Sequence, residues 1–365
     1  MAVAAVAAAA VVAAAEIDMF CDNHSRLLLQ FHITGRCNLR CKHCYRTEGD
    51  VEQLSYADVI RVIDQFLALR RRYNLQHHIK KRGHINLTGG EPFFRKDIKD
   101  IIRYIGDHPT QLSYGILSNG SFINQEMIEL LKETEVSFVQ LSIDGDEATH
   151  DSLRAPGDYE RVLNTAQMLE AAGIRTYISF TANKLNYRFL PHVAKACRKR
   201  GITKLWSDRL VPIGNGEELE QLKITETEMP QYIRTLKKAQ GSFLTKLLYP
   251  KTQVTMNRAL QFMDAKGSIY SCSAGISLIT VDEFGRIMPC RRMPIICGDI
   301  YTSTLTDVYY NDPTFLDLRK SCTLKECASC KYNFLCKGGA RCQSYAAYGT
   351  YRKADPACPK RTPKQ

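Results

Sequence analysis

At 365 residues and 44% hydrophobic side chains, the chain can bury a large core or fold as two or three modest domains, which excludes a disordered polypeptide. Lys and Arg number 50 against 38 Asp and Glu, so the net charge is +12, carried as a well-solvated basic surface. No dense basic run with interleaved aromatics accompanies it, so nucleic acid is not expected as a partner, while an acidic peptide or an acidic electron donor would find the surface favourable.

Residues 1–24 are apolar and Ala-rich but lack the basic start of a secretory signal, and the run is short for a membrane span. They read as a peripheral segment, and neither export nor a membrane is expected. A cytoplasmic location follows, where thiols stay reduced, so the fourteen cysteines point to metal rather than disulfides.

From residue 25 to 212 the pattern alternates. The β-prone runs LLLQFHI, HINLTG, LSYGIL, SFVQLSID, RTYISFTA and TKLWSDRL read as strands, with amphipathic helices between them. The clearest helix spans 55–72, capped by Ser55 with Asp58 three residues on, its apolar face made by Val59, Val62, Ile63, Phe66 and Leu67. Others are expected near 96–106, 124–133, 158–172 and 188–200, the last two stopped by Gly173 and Gly201. Such alternation implies a parallel sheet with right-handed crossovers, an open sheet or a partial barrel. From Pro212 to Pro230 the chain turns polar, marking a boundary; most of the cysteines lie beyond residue 271, amid short, turn-rich elements.

In the loop after the first strand, GRCNLRCKHCYR sets Cys37, Cys41 and Cys44 in a C-x3-C-x2-C spacing. Three thiolates can hold three irons of a four-iron cluster and leave the fourth iron open, whereas structural zinc asks for four closed ligands. S-adenosylmethionine can complete that iron through its amino and carboxylate groups.

The stretch CNLRCKHCY resembles the signature of the radical S-adenosylmethionine (radical SAM) superfamily. Further motifs follow at strand ends: Gly89, Gly90, Glu91 and Pro92 (GGEP), Ser118 and Asn119 (LSNG), Ser142 and Asp144 (QLSIDG), Arg154 (HDSLR), and TANKLN from Thr181 to Asn186. By that resemblance the GGEP turn meets the methionine amino group, LSNG faces the ribose, His43 the adenine and Arg154 the carboxylate of the cofactor. The C-terminal cysteines resemble the SPASM extension, which carries auxiliary iron-sulfur clusters. Cys272, Gly285 and Cys290 fit its first part, Cys327, Cys330 and Cys336 its second, and Cys358 its last cysteine; the cysteine expected at position 340 is alanine, and Cys342 follows. DRLVPIGNG, Asp208 to Gly216, resembles the junction between barrel and extension. The resemblance assigns one auxiliary cluster to Cys327, Cys330, Cys336 and Cys358. The other takes Cys272 and Cys290, with Cys342, Cys297 and Cys322 as candidates for its further ligands. Cys21 and Cys197 read as ordinary buried thiols.

The expected fold is therefore α/β, a partial (β/α)6 radical SAM barrel over 25–212, a bridging segment over 213–271 and a cysteine-rich SPASM domain over 272–365. The expected chemistry is reductive cleavage of S-adenosylmethionine to a 5′-deoxyadenosyl radical that abstracts hydrogen from a ribosomally made peptide, forming a thioether or carbon-carbon link. A flavodoxin or ferredoxin would supply electrons, and with some thirty-six residues ahead of Cys37 any leader-binding module would be a separate partner. A sulfatase-type formylglycine maturase, a tetrapyrrole side-chain enzyme, a small-molecule dehydrogenase and a non-catalytic cluster- or zinc-binding module are the alternatives. No residue is singled out by spacing as a catalytic base.

Overall fold

The computed structural model describes residues 26–46, 54–256, 260, 272–320 and 324–360; the Ala-rich segment, Cys21 and Cys322 lie outside these. All six expected strands form: β1 (Leu28–Thr34), β2 (Gly83–Gly89), β3 (Leu112–Leu117), β4 (Phe138–Ser142), β5 (Thr176–Ala182) and β6 (Lys204–Arg209). They are joined by α1 (Tyr56–Gln76), α2 (Ile98–Gly106), α3 (Gln125–Glu133), α4 (Glu147–Leu153), α5 (Asp158–Ala171) and α6 (Leu190–Lys199), of which α4 was not expected. The Ser55 side chain accepts from the Asp58 backbone N–H and so caps α1. The buried face of α1 is completed by Leu69 and Tyr73 rather than Leu67, which falls on the flank of a 3.6-residue stripe that runs through Val62 and Phe66.

The sheet is wider than six strands. After α7 (Met229–Gln240) and α8 (Phe243–Leu248), β7 (Gln253–Met256) pairs parallel with β6 at one side. At the other, β8 (Leu278–Val281) pairs parallel with β1, and β9 (Arg286–Met288) and β10 (Gly298–Asp299) continue it antiparallel. A strand of the C-terminal region thus lies directly beside the first strand of the barrel.

The two faces of the sheet differ in chemistry. Leu29, Phe31 and Ile33 on β1, with Ile85, Leu87 and Phe180, are fully buried in the core shared with the helices. The alternate residues line an internal cavity and are polar: Gln30 and His32 on β1, Asn86 and Thr88 on β2, Gln140 on β4 and Ser179 on β5. A parallel sheet covered on both faces normally reads as continuous apolar runs, so this alternation marks a sheet with one face on a ligand space.

Buried polar contacts tie the C-terminal part to the barrel. Arg209, at the end of β6, donates from both terminal nitrogens to Asp355 at 3.0 and 2.5 Å, with both side chains almost fully enclosed. Asp355 also accepts from the backbone N–H groups of Ala340 and Ala357, and Gln343 donates to the Leu210 carbonyl at 2.9 Å. Removing one partner of such a pair leaves an uncompensated buried charge. Asp355→Asn is expected to cost about 3–5 kcal/mol in denaturant unfolding, whereas Asp100→Asn, in an exposed pair with Arg103, should stay within about 1 kcal/mol.

Candidate active site

The loop after β1 is held by the turn after β2. Gly90 donates its N–H to the Thr34 carbonyl and Glu91 to that of Arg36, both at 2.8 Å. A Cβ on Gly89 would stand 2.2 Å from the Thr34 oxygen, and one on Gly90 2.1 Å from the Arg36 oxygen. Gly89 also has φ +133°, so glycine is required here by the crowding of the cysteine loop's own backbone. On the far side Gly214 sits against the Tyr45 carbonyl, and Gly216 donates to that of Cys44. Both ends of the thiol loop are fixed by backbone.

Glu91 is fully buried behind this turn. It accepts from Phe93 N–H, from the Ser118 hydroxyl at 2.8 Å and from Asn119 N–H at 2.7 Å, so it locks the GGEP turn to the LSNG turn. Asp144, at the end of β4, plays the same part for the next group. Its Oδ2 accepts from Arg154 Nε at 2.7 Å and lies 3.1 Å from His43 Nε2, while Oδ1 accepts from Thr181 N–H. Burial acts to raise the Asp144 carboxyl, but the Arg154 guanidinium and His43 outweigh it and hold it far below the usual range. Buried His150 accepts the Asp144 N–H, and Asn186 donates to the Asp144 and Thr181 carbonyls. Of the residues expected at the cofactor, His43, Gly89, Gly90, Ser118, Asn119, Ser142 and Arg154 line the cavity, and Glu91, Pro92 and Asp144 stand behind them.

Cys37, Cys41 and Cys44 line this cavity of about 510 Å³, and Cys272, Cys290 and Cys342 line it too. A second, small cavity is lined by Cys327, Cys330, Cys336 and Cys358. The residue at 340 that breaks the SPASM spacing donates its N–H to Asp355, and the helix that starts at Arg341 carries Cys342 toward Cys272 and Cys290. Cys297 lies apart from both groups, its thiol on the Ile295 carbonyl and its pKa pushed up to about 12 by burial and Asp312. Cys197 is a fully buried core thiol.

The donor sets suit iron-sulfur clusters. The described cysteines are free of disulfides, and thiolates are the ligands that hold a cube of iron and sulfur. Burial, with the neighbouring cysteines adding to it, pushes the Cys327 thiol up to about 11 and that of Cys336 to about 12. Donors already point at sulfur in the first loop: Leu39 N–H is 3.5 Å and Asn119 Nδ2 3.9 Å from Cys37 Sγ, and Arg154 Nη1 is 3.9 Å from Cys41 Sγ.

Residues 31–197 match the radical SAM superfamily, and residues 266–331 match the SPASM iron-sulfur cluster-binding domain. The chain is a radical SAM enzyme with a SPASM domain. It is 26% identical over 347 residues to an AdoMet-dependent heme synthase of Methanosarcina barkeri, covering 91% of this chain and 95% of that one. It is 25% identical over 342 residues to the mycofactocin maturase MftC of Mycobacterium ulcerans, covering 91% and 87%. The fold is shared with Streptococcus suis SuiB, solved with its precursor peptide SuiA, at a TM-score of 0.71 and 15% identity over 94% of this chain and 78% of that one. The cofactors of this radical SAM enzyme are a [4Fe-4S] cluster, S-adenosylmethionine and auxiliary iron-sulfur clusters. Among the described residues no helix is long and apolar enough to cross a membrane.

Several cavity residues lie outside the family motifs: His32, Trp206, Arg291 and Arg292. Their one sequence signal is position, since His32 and Trp206 sit in strands that alternate and Arg291 and Arg292 follow Cys290 directly.

Burial raises the Glu91 carboxyl to about 7 despite the hydrogen bonds it accepts. A carboxyl with a raised folded-state value binds more protons native than unfolded between the two values, so its contribution to stability falls as pH rises from 4.5 to about 7. Glu91→Gln removes that fall, and the difference between its denaturant midpoints at about pH 5 and about pH 8 should be smaller than in the parent.

Proposed function

We propose that the chain modifies a peptide by hydrogen abstraction, forming a thioether or carbon-carbon link or a related side-chain or backbone change. The observation that carries this reading is that one cavity is lined both by Cys37, Cys41 and Cys44 and by Cys272, Cys290 and Cys342. A substrate there lies between two cluster sites. The maturase relative and the shared fold with a precursor-bound enzyme support the peptide. A tetrapyrrole substrate is the second reading, favoured by the heme synthase that aligns over 95% of its own length.

In this reading residues 25–212 form the barrel, 213–271 the bridge and 272–365 the SPASM domain. Cys37, Cys41 and Cys44 hold the radical SAM cluster; Cys272, Cys290 and Cys342 hold the first auxiliary cluster, and Cys327, Cys330, Cys336 and Cys358 the second. When bound, the first cluster and S-adenosylmethionine supply a 5′-deoxyadenosyl radical. The chain's own residues orient and shield: Gly89 and Gly90 offer close backbone, Ser118, Asn119 and Ser142 offer polar contacts, and Arg154 receives the cofactor carboxylate with Asp144 behind it. His43 faces the adenine. A carbon radical requires that water be kept from the reacting carbon, which the bound cofactor and substrate would do by filling the cavity. Exposed Lys325, Lys331 and Lys360, with half-buried Lys337, surround the second auxiliary set and suit docking of an acidic flavodoxin- or ferredoxin-type donor.

Anaerobic reconstitution followed by dithionite and S-adenosylmethionine is expected to release 5′-deoxyadenosine, measured by liquid chromatography, and Cys37→Ala to bring release to background. A reconstituted parent chain that releases none would refute the reading.

A further inference from the structure

Among the described residues six arginines line the cavity, Arg40, Arg46, Arg154, Arg209, Arg291 and Arg292, and neither Asp nor Glu does. Their hydrogen bonds separate committed guanidinium groups from available ones. Arg154 is engaged by Asp144, Arg209 by Asp355 through both terminal nitrogens, and Arg46 by Glu283 and the Gly35 carbonyl. Arg291 is held more loosely, 3.4 Å from Asp282 and 3.5 Å from Glu283. Arg292 meets Asp208 through Nη1 at 2.5 Å and stands within electrostatic reach of the Cys342 thiol and Tyr45.

Beside them is a side chain with no hydrogen-bond partner, its ring edge-to-face with Tyr45. His32 projects from β1 into the cavity, is fully buried, and neither ring nitrogen makes a hydrogen bond; the Thr280 hydroxyl on β8 is likewise buried and unpartnered. Burial, then Arg291 and Arg46, hold the His32 imidazole neutral, so it can donate from one nitrogen. Buried polar groups left unsatisfied cost stability and mark a place where a ligand completes them. The carboxylates Asp282 and Glu283 do not reach the cavity but stand behind Arg46 and Arg291, presetting guanidinium groups toward it.

We propose that Arg291 and Arg292, with His32 and Thr280, form a receptor for a carboxylate carried by the substrate. The assignment rests on the radical SAM reading of this cavity and names the substrate's chemical class: an acid, presented by a peptide or by a tetrapyrrole side chain. Arg154 stands beside Cys41 and Asp144 and serves the cofactor, whereas Arg291 and Arg292 lie on the wall contributed by the C-terminal region. Guanidinium geometry selects carboxylate over its ester or amide.

Trp206 is the only tryptophan in the chain and lines the cavity, so its emission reports occupancy. The reconstituted full chain with S-adenosylmethionine is titrated anaerobically with mesoporphyrin IX and its dimethyl ester, and with tetra-alanine and its C-terminal amide. At least one acid should bind about tenfold more tightly than its blocked form, and Arg291→Gln and Arg292→Gln should each reduce that preference to about threefold or less with iron content unchanged. The acid that shows the preference identifies the source. Equal binding of acid and blocked form by the parent chain, binding of neither acid, or a preference untouched by both substitutions overturns the proposal. If the arginines serve only to balance cluster charge, the substitutions lower iron content and the parent shows no preference, which also overturns it. Release of 5′-deoxyadenosine from the same samples is read separately, so an acid-binding chain without release sinks the enzymatic reading alone.

Discussion

Guanidinium groups facing the cavity are set there by carboxylates one layer further out. Asp144 stands behind Arg154, Glu283 behind Arg46 and Arg291, Asp208 behind Arg292 and Asp355 behind Arg209. Burying this much charge is tolerable only when each ion is paired, and pairing from behind leaves the cavity wall positive while the protein interior remains near neutral. A wall of that kind suits thiolate-ligated clusters and acidic groups. It also fixes side chains without substrate, which spares the reorganisation a flexible site would need.

The second constraint is the placement of the two cysteine-bearing regions. They are separated by more than two hundred residues in sequence, yet β8 pairs with β1 in register from Leu28 with Leu278 to Phe31 with Val281. That ladder sets Cys272 and Cys290 across the same space as Cys37. The Arg209–Asp355 pair and the Gln343 contact to Leu210 then hold the last cysteines against the barrel edge. The cavity is therefore a product of both regions, and neither wall encloses it alone.

Much of this was legible in the residues. The six strands, the Ser55 cap and the glycines at 173 and 201, both at positive φ, follow from local propensity and periodicity. The cysteine spacing and the turn motifs marked one edge of the cavity, because each falls at a strand's carboxyl end. Other points were not legible. Glu91 belongs to a conspicuous motif but acts from behind the wall, since its burial and two of its three donors, Ser118 and Asn119, are set by a turn far away in sequence. Cys342 falls two residues past the expected position and Cys297 matches no expected position, and packing is what sets Cys342 on the cavity and Cys297 away from it.

By itself the sequence determined the parallel α/β alternation, the thiol loop after the first strand and the cysteine groups of the C-terminal region, because these depend on near-neighbour spacing along the chain. Tertiary structure decided that the sheet extends past both barrel edges, that Cys272, Cys290 and Cys342 share a cavity with the first loop, and that His32 stands without a hydrogen bond beside Arg291. The reason is physical: burial and charge pairing are summed over residues brought together by strand register and long-range packing, and no local pattern encodes which distant groups will meet.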